Sequence, residues 1–240
     1  FDPTGAGDTF AGGFIGYLAA ANDHSWETMK KAIIVGSALA SFTVEKFGIE
    51  RLEEITIDDI QNRIKEFSTL SSFHFTDNQG QAFTKAQLKG KWSLLFFGYT
   101  NCGYVCPTTL AALKKMYQDL EQQLPKKQLP QVVLISVDPQ RDTQTRLDQY
   151  VKAFNPEFIG LRGDEAQTAK IEKELGIAAT KIYAADGDQS HYTISHSAEI
   201  IVVDPHAKVQ AYLSFPHSSD EMIKDYTKLV QAYQNQKDIG

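Results

Sequence analysis

Two uninterrupted apolar runs, "WSLLFFGY" at 92–99 and "QVVLISVD" at 131–138, constrain the fold of this 240-residue chain more than any other feature. Neither alternates apolar with polar residues, so each reads as a strand buried on both faces, the pattern of a parallel sheet covered by helices. The stretch from Pro107 through roughly Leu124 reads as the helix between them. Strand, helix, strand is the right-handed crossover unit, which sets two parallel strands side by side.

The same alternation continues from residue 72 onward. "FHFTDNQGQAFT" reads as a hairpin around "DNQG", and "TQTRLDQYVKAF" and "DEAQTAKIEKEL" as helices. "KIYAAD" with "HYTISHS" forms a strand pair, "AEIIVVD" with "VQAYLSF" a hairpin around "PHAK", and a last helix runs from about Ser219 to Gln234. The first part of the chain has a different texture. Helices are expected at 8–21, at 26–46 with Ser25 as N-cap, and in "TIDDIQNRIKEF" with Thr56 as cap, and no strand stands between them. The boundary falls at about 68–72, giving a helical segment 1–68 and an α/β domain 69–240.

Composition excludes several functions. A net charge of −6 with no dense Lys/Arg block argues against nucleic acid or an anionic membrane as partner. No apolar stretch is long enough for a membrane span, and the N-terminus lacks the order of a secretory signal, so the chain as written reads as cytoplasmic.

The chain's two cysteines, Cys102 and Cys106, both lie in "FFGYTNCGYVCPTTL". Two cysteines cannot make a disulfide scaffold or a four-cysteine zinc site, so the pair is redox-active, metal-binding or incidental. Position favours chemistry, because the two parallel strands deliver Cys102 and Asp138 to the carboxyl edge of the sheet, where ligands bind in α/β folds. Pro107 suits the first helical position, which puts Cys106 at or beside the N-cap and predicts a lowered thiol pKa there. At spacing i, i+4 the two Cα atoms lie about 6 Å apart, close enough for a disulfide or for two thiolates to grip one metal ion.

Soft thiolates select Cu(I) or Zn, and an imidazole would complete a trigonal copper site. Histidines stand at 24, 74, 191, 196, 206 and 217. His196 is the preferred candidate, since it begins an apolar strand in phase with Tyr192 and Ile194. His191 is its nearest rival, His217 reads as the start of a helix and His206 as part of a turn, and spacing alone leaves the choice open. Asp142 and Thr143 read as N-caps of the following helix. Arg141 is a partner for a nearby carboxylate or for an acidic partner surface.

"FFGYTNCGYVCPTTL", "SVDPQRDT", "FIGLRG" and "YTISHSAEIIVVDP" together resemble the Sco/SenC proteins over about residues 71–235. The resemblance implies a thioredoxin-like fold, a central mixed sheet flanked by helices, in a copper chaperone that helps assemble the dinuclear copper centre of cytochrome c oxidase. It implies Cys102, Cys106 and His196 as the copper ligands and Asp138 as a structural residue beside them. Ser195 stands where that family commonly has Asp. Partners so implied are oxidase subunit II or another copper-site protein, and a copper donor protein. The implied location is periplasmic or associated with the inner membrane, in conflict with the absence of a signal. A thiol-disulfide reductase using the 102–106 pair on the oxidase's copper-site cysteines is the alternative.

"DPTGAGDTFAGGFI" and "GSALASFTVEKFGIERL" resemble the C-terminal signature of ribokinase-like (PfkB) carbohydrate kinases. That resemblance implies an anion hole at Gly5, Ala6 and Gly7 and a catalytic base at Asp8. With the sheet of such a kinase missing ahead of them, these helices are expected to bury their apolar faces poorly and to be inactive as a kinase.

Overall fold

The structure, a computed structural model, describes residues 4–67, 70–184, 188 and 191–237. It forms two compact units, Phe1–Thr69 and Leu70–Gly240. The expected boundary region includes Ser68 and Thr69, and the expected strand "KIYAAD" ends on Ala185 and Asp186. Those four residues lie outside the described ones.

The first unit is helical: α1 (Ala6–Ala21), α2 (Trp26–Thr43), α3 (Glu50–Glu54) and α4 (Ile57–Phe67). Ser25 caps α2, its hydroxyl accepting the Thr28 N–H at 3.3 Å. Thr56 and Asp59 cap α4 reciprocally, side chain to backbone in both directions. Small residues let α1 and α2 approach closely, and a Cβ on Gly13 would stand 3.0 Å from the Gly36 Cα. The helix expected to reach residue 46 stops at Thr43, and the five-residue α3 is too short to show a period. Burial is thin, as expected of helices with no sheet beneath them. Among this unit's described apolar residues only Ala32, Ala38 and Phe42 are buried, whereas Ile15, Trp26, Phe47, Ile49 and Ile57 are all more than 60% exposed.

The second unit runs β1 (His74–Asp77), β2 (Ala82–Thr84), β3 (Ser93–Gly98), α5 (Val105–Gln123), β4 (Gln131–Ser136), α6 (Gln144–Phe154), β5 (Ile159–Arg162), α7 (Glu165–Glu174), β6 (Ala179–Tyr183), β7 (Tyr192–His196), β8 (Ile200–Val203), β9 (Val209–Leu213) and α8 (Ser219–Lys237). Seven strands form one mixed sheet in the order β2-β1-β5-β4-β3-β8-β9, flanked by the helices. β3, β4 and β5 are parallel, with antiparallel strands on both sides. β6 and β7 pair with each other in a separate ribbon.

All six residues of β3 and five of six in β4 are buried, as their apolar runs required. Their register, from Ser93 opposite Gln131 to Gly98 opposite Ser136, ends both strands at the same level. Phe96, Phe97, Leu134, Leu110, Leu113 and Tyr226 fill the core, and Trp92 packs edge-on against Tyr226 and Tyr233.

One local expectation fails at the site itself. Tyr104 is the N-cap of α5, so Pro107 is the third helical residue and Cys106 the second. Proline is tolerated there because the first i to i−4 bond of the helix is donated by Thr108, to the Tyr104 carbonyl at 3.1 Å. β5, within "FIGLRG", carries only four residues with a glycine among them, too little for a strand signal in the sequence.

Candidate metal centre

β3 ends at Gly98, and the chain then turns through Tyr99–Tyr104 before entering α5. Cys102 sits in that turn and Cys106 in the first turn of the helix, with the Cys106 N–H donating to Cys102 Sγ at 3.3 Å. This N–H belongs to the set that every helix leaves without an internal partner, and here it is aimed at sulfur. Cys106 is fully buried over the end of β3, where a Cβ on residue 98 would come within 2.9 Å of its sulfur. Glycine at 98 makes room for the thiol.

His196 is the last residue of β7, four residues before the start of β8, rather than the first of an apolar strand. Its phase with Tyr192 and Ile194 is as expected, and its ring reaches the cysteines. Nε2 lies 3.3 Å from Cys106 Sγ, and Nδ1 lies 2.8 Å from the Ser197 carbonyl. A carbonyl only accepts, so Nδ1–H is the donor there and Nε2 is the ring nitrogen left facing the sulfurs. Ser195, where the resembled family has an acid, is exposed, and the backbone of Ser197 supplies the orienting bond instead. The two Sγ atoms and one imidazole nitrogen all lie within 4.8 Å of one another, and both cysteines are free.

The electrostatics divide the pair. Hydrogen bonds from the Cys106 thiol, from His196 and from the backbone N–H groups of Cys106 and Tyr104 draw the Cys102 thiol down to about 3. Cys106 moves upward, because the Cys102 sulfur beside it and its own burial both disfavour a second thiolate. The sequence placed the acidic thiol at Cys106. The structure places it at Cys102, because the Cys106 thiol and, less strongly, the Cys106 N–H donate to that sulfur while Cys106 itself is buried in the core.

Two buried carboxylates support this edge. Asp138 pairs with Arg141 and accepts the Tyr192 hydroxyl at 2.7 Å. Asp142 is not a helix cap, and Thr143 alone caps α6, accepting the Arg146 N–H. The Asp142 carboxylate accepts the Thr100 N–H and hydroxyl and the Ser136 hydroxyl, tying the Cys102 turn to the end of β4. Burial pushes its pKa up despite those donors. The rings of Phe96 and Tyr99 stand edge-on to His196 at 6.1 and 5.8 Å.

The other histidines of this unit are not part of the cluster. His191 is exposed beside Asp188, and His206 lies in the β8–β9 turn. His217 precedes α8 by two residues and donates Nε2–H to the Ala198 carbonyl at 2.8 Å. In the first unit, Gly5 caps α1 with a φ of 82°, Ala6, Gly7 and Asp8 form its first turn, and Asp8 is exposed. Sequence reading missed Thr100, Tyr99 and Tyr192 as supports of the site. The available signal was the polar block "SVDPQRDT" directly after a buried strand, whose two acids are fully buried.

Residues 61–231 match the model of the SCO1/SenC family, and residues 1–55 match that of the pfkB family carbohydrate kinases. A SCO2-like protein of Rickettsia conorii is 32% identical over 156 residues, 63% of this chain and 72% of that protein. The mitochondrial SCO2 homolog of Mus musculus is 31% identical, over 67% of this chain and 62% of that one. Among solved structures, Bradyrhizobium japonicum ScoI with copper bound is 33% identical with a TM-score of 0.59, covering 67% of this chain and 99% of that one. Arabidopsis thaliana ScoI with copper bound is 27% identical with a TM-score of 0.60, covering 69% and 98%. The expected thioredoxin-like fold and both expected resemblances therefore stand, and by the match over most of its length this chain belongs to the SCO1/SenC family.

Proposed function

We propose that residues 69–240 are a copper metallochaperone domain that carries one copper ion on Cys102, Cys106 and His196. The carrying observation is the convergence of two sulfurs and one correctly oriented imidazole nitrogen, from three separate elements, within 4.8 Å. The donor set fits copper better than structural zinc. Zinc of that kind takes four ligands, and among the described residues no fourth His, Cys, Asp or Glu joins the cluster, whereas a soft three-donor set suits Cu(I). Relatives solved with copper bound support the same metal.

The unequal burial of the ligands gives the transfer a direction. Cys102 is half-buried and Cys106 fully so, and a thiolate from an acceptor therefore displaces Cys102 or His196 before it reaches Cys106. We take the acceptor to be the copper site of cytochrome c oxidase subunit II or a similar copper-site protein, loaded from a separate copper donor. We place this exchange at the periplasmic or inner-membrane location that the family resemblance implies; no described helix is itself long and apolar enough to cross a membrane. Competition of the reduced chain against a chromophoric Cu(I) chelator tests the ligand set. Wild type binds one equivalent, and Cys102→Ser, Cys106→Ser and His196→Ala each weaken binding by at least tenfold. Unchanged affinity in any one of them removes that residue from the site.

A second reading draws on the split acidity of the two thiols. The Cys102 thiolate attacks a partner disulfide, forming a mixed disulfide and releasing one partner thiolate. Cys106, giving up its proton, then attacks the Cys102 sulfur and expels the second. The partner disulfide is reduced and the 102–106 disulfide forms. His196→Ala separates the roles, because it weakens copper binding and leaves disulfide reduction intact. Residues 1–68 we take to be a kinase-derived segment outside either role. ATP with a panel of sugars and nucleosides gives no phosphate transfer, and measurable turnover dependent on Asp8 would reverse that assignment.

A further inference from the structure

His196 is carried by a ribbon that the main sheet does not include, since β6 and β7 pair only with each other among the described residues. The imidazole's place beside the sulfurs therefore depends on whatever ties that ribbon to the ends of β3 and β4. A two-stranded antiparallel ribbon leaves alternate N–H groups without a strand partner. The N–H of Ile194, two residues before His196, donates to the phenol oxygen of Tyr99 at 3.0 Å. Tyr99 directly follows β3 and is only 3% exposed.

A second tie lies past the end of β4. The Tyr192 hydroxyl donates to Asp138 Oδ1 at 2.7 Å, and Asp138 has no exposed surface. Arg141 lies over the Tyr192 ring with its Cζ 3.6 Å from the ring centroid. It donates Nη1–H to the Tyr192 carbonyl at 2.9 Å and Nε–H to Asp138. Acid, guanidinium and phenol thus bind one another, Arg141 Nη2 alone staying buried without a hydrogen-bond partner, and these three side-chain bonds span the gap between ribbon and sheet or brace the residue that does.

The geometry points to Tyr99, Asp138, Arg141 and Tyr192 as positioning residues that clamp the His196-bearing ribbon to the sulfur-bearing edge of the sheet and so set the affinity for copper. The inference rests on the copper reading of that site. Its reason is conformational: an imidazole already fixed beside the thiolates loses little freedom when it ligates, whereas one on a loose ribbon must be ordered by the metal.

Tyr99→Phe and Tyr192→Phe test the clamp, since each keeps its ring and removes one hydroxyl. Without metal, hydrogen exchange at the Ile194 amide and its ribbon neighbours accelerates about tenfold in both variants, with Trp92 fluorescence confirming a folded core. Unchanged exchange in both overturns the clamp whatever the metal does. With Cu(I), each variant loses about tenfold in affinity and shows a weaker imidazole contribution in X-ray absorption. In a His196→Ala background the same two changes cost nothing further. Losses that add in full to that of His196→Ala, or faster exchange with unchanged affinity, show that the clamp does not act through the imidazole and refute the inference. A parent chain that takes up no copper instead refutes the proposed function, and does so before any variant is compared.

Discussion

Truncating Asp142 to alanine tests whether the turn carrying Cys102 is held from below. The carboxylate has no exposed surface and accepts the Thr100 N–H at 3.2 Å, the Thr100 hydroxyl at 2.5 Å and the Ser136 hydroxyl at 2.7 Å. Alanine leaves all three donors facing a void. The hydroxyls can rotate toward other acceptors, but the backbone N–H cannot. Hydrogen bonds to a charged group contribute about 1.5–3 kcal/mol each, and part of that is returned because a buried carboxylate, strained enough for its pKa to rise, is removed. The net cost is about 3 kcal/mol, or about 6–12 °C in Tm for a unit of this size. Asp142→Asn keeps one acceptor oxygen and costs about 1–2 kcal/mol. The assay is urea unfolding followed by tryptophan fluorescence in a Trp26→Phe background. Trp92 is then the sole tryptophan left, and it reports from the core of the second unit. Asp142→Ala within about 0.5 kcal/mol of its parent would show that the network carries no load.

Three further outcomes follow from the same geometry. Gly98→Ala forces a methyl to 2.9 Å from Cys106 Sγ and 3.0 Å from Leu134 Cδ1, and is expected to cost about 1–3 kcal/mol in urea unfolding and to weaken Cu(I) binding in chelator competition. Cys102, held near 3, is already a thiolate at acid pH. Its alkylation rate, followed by mass spectrometry, is therefore flat from about pH 5 to 8, where an ordinary thiol gains about tenfold per unit. Because the folded state favours the charged form, Cys102→Ser removes stability that is present above the ordinary thiol pKa and declines as pH falls toward 3, a loss that urea unfolding at a series of pH values detects.

Much of this fold was legible because burial on both faces leaves a plain mark. The runs 92–99 and 131–138 became β3 and β4, adjacent and parallel, and carried Cys102 and Asp138 to one edge as expected. What the sequence hid was local geometry decided by tertiary contact. A proline near a helix start fits any of its first positions, so Pro107 could not reveal that α5 begins at Val105. An aspartate followed by threonine before a helix looks like a cap, yet Asp142 turns inward because Thr100 and Ser136 offer it donors from two other strands' ends. Strand phase favoured His196 over His191 but could not settle the choice, because one ends and the other directly precedes the same five-residue strand and only folding brings one of them to the sulfurs. In the helical first unit the caps at Ser25 and Thr56 were readable, being local in sequence, while α3 carried no period to read.

X-ray absorption at the copper edge of the full chain, reduced and loaded with one equivalent of Cu(I), tests the central claim most directly. Two sulfur scatterers and one imidazole nitrogen are predicted, with the imidazole signature lost in His196→Ala and one sulfur lost in Cys102→Ser. A first shell made of oxygen and nitrogen alone, or a spectrum that neither substitution alters, would contradict it.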